Sequence, residues 1–307
     1  MTQMKLISPQ ITATFSTLGA RLVSLIIDGI DVVMGGGTDA DFLSGDWTTG
    51  IVCGRHAGRI TNSTFEIDGV IHKVLPTFDA HQLHGGPDNF GIRHWDYHLI
   101  DNGIRFTLVS PDGDQGFPGE VKVTADYVLK GSVLSLDLKA TTTKPTVINL
   151  TNHGYWNLIG GKSAFEHEMS IEADRYVELN ELLLPSGALR DATNTRWDFR
   201  ALRIVGENYD NCWALNGKRG VLRKGLTLRD PSSGRTMEVW TTEAGMQMYT
   251  CFHWNGMFPG KRGPLHQYEA IAIEPQNFPD ACNHKNFPNS IVRLGVGYKN
   301  RMEWRFG

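Results

Sequence analysis

An all-β fold, specifically a large antiparallel β-sandwich, is predicted for this 307-residue chain by three observations. Apolar and polar residues alternate over short runs of roughly four to eight residues, and sustained helical stripes are nearly absent. The 34 glycines and 13 prolines sit between these runs without a period, as turn residues do. No shift of composition divides the chain, so residues 1–307 are expected to form one domain.

The elements follow in order. Phe65-Glu66-Ile67 and Val70-Ile71-His72-Lys73-Val74 flank Asp68-Gly69, a hairpin signal. Residues 104–109 read as a strand running into the turn-rich Ser110-Pro111-Asp112-Gly113-Asp114. Residues 121–129 and 133–140 flank Lys130-Gly131-Ser132, a second hairpin. In its second arm Leu134, Leu136 and Leu138 alternate with Ser135, Asp137 and Lys139. Residues 226–229 and 236–241 pair across the turn residues 230–234, and strands are also expected at 246–252, 270–273 and 301–306. Short helices are expected only near 181–184 and 200–203, and residues 185–196 read as a surface loop.

Composition excludes several functions. Thirty Lys+Arg face 33 Asp+Glu, a net charge of −3, so there is no basic surplus for nucleic acid. No apolar run nears the roughly 20 residues of a membrane helix, and no membrane partner is expected. The start, MTQMKLISPQ, lacks a signal-peptide pattern, which predicts a cytoplasmic protein. Cys53, Cys212, Cys251 and Cys282 form no CxxC pair, so neither a disulfide framework nor a structural zinc site is expected.

Four segments concentrate polar residues beyond what strand packing requires. In Gly54-Arg55-His56-Ala57-Gly58-Arg59 a Gly-flanked turn can aim a guanidinium at a polar ligand; the alternative is two arginines paired with surface carboxylates. In His81-Gln82-Leu83-His84-Gly85-Gly86 the glycines permit close backbone approach. The spacings of His81 with His84, and of His94 with His98, are compatible with zinc, but no third ligand accompanies them, so no metal is assigned. In Asn149-Leu150-Thr151-Asn152-His153, alternation puts Asn149, Thr151 and His153 on one face. With Tyr155 and Trp156 beside it, that row suits a sugar surface, since rings cover apolar pyranose faces and amides take hydroxyls. A buried structural histidine is the other reading. Glu274 follows the apolar Ala270-Ile271-Ala272-Ile273, where desolvation raises a carboxylate towards general-base range.

Together GRHAGRI, LHGG, NLTNHGYWNL and EPQNFPDACNHKNFPNS, in this order, resemble the aldose 1-epimerase (galactose mutarotase) family. The similarity runs from about Thr12, through TLGARLVSLIIDG, to about Phe306. It implies a galactose mutarotase-like supersandwich with an open cleft for a free aldose, and neither metal nor organic cofactor. It places His153 on the family's general acid and Glu274 on its general base. Arg59, His84, Asp210 and Gln247 fall on sugar-contacting positions. The implied partner is a small-molecule aldose, whether hexose, pentose or acidic sugar, bound by a monomer or homodimer.

Departures bear on the substrate. Gly58 replaces a common Asn, Asn211 replaces a frequent His, and Gly154 and Trp156 replace Ser and Phe. An indole near His153 is expected to reshape the pocket, and Arg55, His56 and His81 to suit an anionic substituent. An acid and a base flanking the C1–O5 unit suffice to open a hemiacetal. Asp210 is expected to hold the His153 imidazole charged, giving a bell-shaped pH profile with its acidic limb from Glu274 and its basic limb from His153. A glycosidase or lyase would instead need two carboxylates about the scissile bond. A non-catalytic sugar sensor would not need both the acid and the base.

Overall fold

The computed structural model describes residues 3–161 and 163–307. Its strands form a sandwich of two large antiparallel sheets. One is nine-stranded, in the order Asp96–Ile100, Gly103–Ser110, Val121–Lys130, Val133–Thr142, Tyr298–Phe306, Thr236–Thr241, Arg223–Arg229, Glu168–Ile171 and Arg203–Ile204. The other is six-stranded, in the order Gly154–Trp156, Ile271–Gln276, Gly245–Tyr249, Asp210–Ala214, Arg175–Leu179 and Pro185–Asp191. A four-stranded N-terminal sheet, from Gln3–Ile7 to Ile30–Asp31, closes one end, with Phe15 packed on Tyr127 at 4.6 Å between ring centroids.

The two-residue period of a strand decides what each sheet offers. Leu134, Leu136 and Leu138 of the nine-stranded sheet meet Trp156, Trp213, Met246, Met248, Ile271 and Ile273 of the six-stranded sheet in one continuous core. The intervening residues of the six-stranded sheet, Tyr155, Asp210, Gln247, Tyr249, Glu274 and Gln276, therefore face away from that core, and these line the cavity described below. The strand Ile271–Gln276 is buried on both faces, as its apolar start requires.

The hairpins expected at Asp68-Gly69 and Lys130-Gly131-Ser132 are present, as Thr64–Ile67 with Val70–Lys73 and Val121–Lys130 with Val133–Thr142. Asp68 and Gly69 both take positive φ, which a tight hairpin turn demands. Three expectations are corrected. Residues 181–184 form a turn, and residues 200–202 form a bend that leads into the strand Arg203–Ile204, so neither segment is helical. The one α-helix among the described residues is Asp39–Ser44, opened by a capping box between Thr38 and Asp41. Residues 185–196 are not all loop, because Pro185–Asp191 pairs with Arg175–Leu179 at the sheet edge. Among the described residues no helix is long and apolar enough to cross a membrane.

Candidate active site

His153, Glu274, Arg59, His84, Asp210 and Gln247, which lie far apart in sequence, all line one cavity of about 230 Å³. That is below the roughly 300–1,000 Å³ of drug-sized sites, a scale suited to a monosaccharide. Strand register supplies half of it. Gln247 stands opposite Glu274 on one side and Cys212 on the other, while Asp210 pairs with Tyr249. Gln247 Nε2 donates to Asp210 Oδ1 at 2.7 Å, and Arg59 Nη2 reaches Asp210 Oδ2 at 3.1 Å.

Loops at the sheet end supply the rest. Arg59–Ile60 pairs with Gln82–Leu83, which carries His84 beside the cavity. The approach there is close. A Cβ on Gly85, at φ +98°, would lie 1.9 Å from the Gly54 carbonyl oxygen, so only glycine fits. His153 sits where the chain passes from Thr151–Asn152 to Gly154–Trp156. Its backbone N–H donates to Ile51 O at 2.9 Å and its carbonyl accepts from Gly50 N at 2.8 Å.

His153 Nε2 lies 3.3 Å from Glu274 Oε1, and both side chains are buried. Burial acts on them in opposite senses. It pushes Glu274 up to about 8, a direction reinforced by Asp210 and opposed by Arg59. It pushes His153 down to about 4, against the attraction of Asp46 and then Asp210. The expectation that Asp210 holds the imidazole charged is thus corrected. Asp210 acts in that sense, but Asp46 acts more strongly and desolvation outweighs both. Burial therefore favours the arrangement with the pair's proton on Glu274 beside a neutral imidazole. His84 is likewise held well below its ordinary value by burial and by His153 and Arg59. Its Nδ1 accepts from Gly58 N at 3.3 Å, which puts the proton on Nε2 as a donor.

Several buried polar atoms around the cavity have no hydrogen-bond partner: Glu274 Oε2, Gln276 Oε1, Arg59 Nε and His153 Nδ1. Unsatisfied groups at this density are costly in a folded protein unless a ligand completes them. The donor atoms of Cys53, His84 and Glu274 lie within 4.8 Å of one another, a juxtaposition that the histidine spacings do not reveal. Burial and Glu274 push the Cys53 thiol well above its ordinary value, so it keeps its proton, and a protonated thiol is a poor metal ligand.

Other sequence expectations do not hold at this site. Arg55 is buried outside the cavity, donating to Ser110 Oγ at 2.8 Å and to the carbonyls of Ser110, Pro111 and Gly119 at 3.0, 2.6 and 2.8 Å. His56 is buried, and His81 Nδ1 accepts from Asn62 N at 3.0 Å; neither lines the cavity. The three therefore do not prepare the pocket for an anion. Trp156 points into the core against Trp304 and Phe306, so its indole leaves the pocket unchanged. Asn149 and Thr151 share a face with His153 but spend their side chains on the carbonyls of Ala57 and Pro275. His94 and His98 are exposed, away from the cavity.

Sequence reasoning missed Asp46 and Thr48. They lie in a loop of no recognisable pattern and reach the cavity because Arg21, buried behind them, donates to the carbonyls of Trp47, Thr49 and Gly91.

The chain matches the family model described as aldose 1-epimerase over residues 2–305. It is 35% identical to human galactose mutarotase over 287 residues, covering 90% of this chain and 84% of that one. It is 31% identical to the aldose 1-epimerase of Escherichia coli K12 over 274 residues, 84% of this chain and 79% of that one. Among solved structures, an aldose epimerase homologue from C. elegans superposes with a TM-score of 0.94 at 29% identity, covering 100% of this chain and 98% of that one.

Proposed function

The chain belongs to the aldose 1-epimerase family, isomerases that interconvert the α and β anomers of a free aldose, and on that premise we propose how its own residues do so. Glu274 takes the proton of the C1 hydroxyl while the C1–O5 bond breaks. The bond's electron pair goes to O5, which takes the proton of His153. The open aldehyde turns by half a rotation about C1–C2, and the same transfers run backwards to close the other anomer.

The observation that carries this reading is the 3.3 Å contact between the buried His153 Nε2 and Glu274 Oε1. Imidazolium with carboxylate, and imidazole with carboxylic acid, are tautomers of the same net charge, so the pair changes roles without exchanging protons with solvent. Burial favours the uncharged tautomer, which is the one the pair holds when the ring is open. A hydrogen bond from the sugar to the unpartnered Glu274 Oε2 favours the carboxylate before opening. Arg59, Asp210, Gln247 and the His84 N–H are the proposed contacts to ring hydroxyls. No metal or organic cofactor enters this scheme.

A glycosidase needs a second available carboxylate. Asp210 is engaged by Arg59 and Gln247, and Asp46 accepts from Thr48, Tyr155 and Trp254, which favours the isomerase reading. The proposed substrate is a neutral aldose. The carboxylates of Asp46 and Asp210 face the cavity, and Arg59, the arginine lining it, is already paired. The four free cysteines suit the reducing cytoplasm, where we place the protein.

The test is the decay of optical rotation of a freshly dissolved aldose. Glu274→Gln and His153→Asn are each expected to lose about 10²–10⁴-fold in kcat. Near-normal rates in both folded variants would refute the assignment.

A further inference from the structure

Three rings are stacked beside the cavity. His153 lies on Tyr155 with centroids 4.9 Å apart and planes 13° from parallel, and Tyr155 lies on Trp254 at 5.0 Å and 16°. A working histidine is usually oriented by a hydrogen bond at its second nitrogen. Here Nδ1 is buried with no hydrogen-bond partner outside its own residue, so the stack is left to orient the ring. Stacking alone permits sliding and in-plane rotation. The Asp46 carboxylate restricts both, because it ties the other two rings together. Its Oδ2 accepts from Tyr155 Oη at 3.2 Å and from Trp254 Nε1 at 2.8 Å. Its Oδ1 accepts from the Thr48 backbone N–H at 3.0 Å and from the Thr48 hydroxyl, whose oxygen lies 2.8 Å from Tyr155 Oη.

We propose that Asp46 is a positioning residue for proton donation by His153, acting through Tyr155 and Trp254. The role rests on the assignment of His153 as the acid. With both carboxylate oxygens occupied, Asp46 is not available as a base itself. Its charge serves the same end as its hydrogen bonds. The groups facing His153 are Glu274 from its own sheet, His84 from the adjoining loop with ring centroids 5.2 Å apart, Tyr155, Asp46 and Asp210, with Arg59 paired to Asp210. Of the charges that favour the imidazolium, Asp46 contributes most. Burial holds the shared proton on Glu274, and Asp46 draws it back towards the group that must donate it.

The test follows anomerisation across pH for the wild type and for Asp46→Asn, Tyr155→Phe, the double variant and His153→Asn. Asp46→Asn is expected to lower kcat by about 10- to 100-fold, with KM changed by no more than about twofold. Its acidic limb, where His153 takes up a proton, should move to lower pH while the alkaline limb stays in place. Tyr155→Phe keeps the ring but loses the tie, so it should lower kcat in the same sense by less. The double variant should fall no further than Asp46→Asn alone, since both break one connection. An unchanged kcat in Asp46→Asn, or a loss confined to KM, overturns the proposal. If Asp46→Asn does not fold, Tyr155→Phe decides, and an unchanged kcat and pH profile there overturns it. His153→Asn separates the two readings. Normal rates in that variant remove the acid itself, whereas an inactive His153→Asn beside a normal Asp46→Asn removes only the positioning role.

Discussion

Glu274 and His153 face each other across 3.3 Å in surroundings that penalise charge on either, and this governs how the enzyme answers to pH. In the proposed mechanism the working form of the pair has one proton. Below the depressed His153 value, about 4, the pair takes a second proton and no base is left. Above the raised Glu274 value, about 8, it loses its only proton and no acid is left. A bell-shaped profile of kcat/KM is therefore expected between those limits, with both limbs belonging to the pair as a unit. This reverses the sequence expectation, which took the acidic limb from Glu274 and the basic limb from His153. The reversal has a simple cause: the apolar strand before Glu274 announces its desolvation, but nothing in the polar residues around His153 announces that its ring is buried as deeply. The same carboxyl also acts on stability. Its folded pKa is raised, so its contribution is present below the unfolded value and is lost as pH rises towards the folded one. Glu274→Gln, which removes the group that resists ionisation, should melt at a higher temperature than the wild type at pH 8 and differ little at pH 4. Equal melting temperatures at pH 8 would count against the burial of this charge.

Whether an element could be read in advance followed from its length and from the residues at its ends. The long arms 121–130 and 133–142 alternate cleanly because one face packs in the core, and their turn is marked by Gly131. The helix Asp39–Ser44 is under two turns long and buries only Phe42, too short to show a stripe. Its readable signal is the cap, where Thr38 Oγ1 accepts from Asp41 N at 3.2 Å and Asp41 Oδ2 accepts from Thr38 N at 2.8 Å. Thr38→Ala should cost about 1 kcal/mol in denaturant unfolding, and a loss below a few tenths would show that the cap does not hold this helix. The pairing of Pro185–Asp191 is long-range in origin. Its register with Arg175–Leu179 shifts at Val177/Leu179, and nothing in its own polar sequence announces a strand. The LHGG turn was legible as a close approach, and Gly85 shows how close. Gly85→Ala combines positive φ with a backbone collision, so a loss of about 2 kcal/mol or more is expected. A variant with wild-type melting behaviour would mean that the loop simply moves aside.

Across the whole molecule, a net charge of −3 conceals a sharper division. Arg55 has its guanidinium spent on the turn at 110–119, and the charges left at the cavity are the carboxylates of Asp46 and Asp210 and one paired arginine. A uronic acid should therefore be turned over with kcat/KM at least about tenfold below that of the matching neutral hexose in anomeric NMR exchange. Arg55→Ala should lower the melting temperature without altering that ratio. Equal turnover of both sugars would contradict the neutral-aldose reading. The sequence by itself determined the all-strand architecture, the turns and the four motifs that meet at the site, because alternation, glycine and proline act locally and a catalytic group must have a particular chemistry. It could not determine which polar residues face the cavity. Arg55, His56 and Trp156 belong to the same motifs as Arg59 and His153, yet they are turned into the interior, Arg55 by its hydrogen bonds to the turn at 110–119 and Trp156 by packing on Trp304 and Phe306. Asp46, in a loop without pattern, is brought to the cavity by the buried Arg21. Tertiary structure alone decided the direction of each side chain and the dielectric it meets, since both depend on what the rest of the chain places around it.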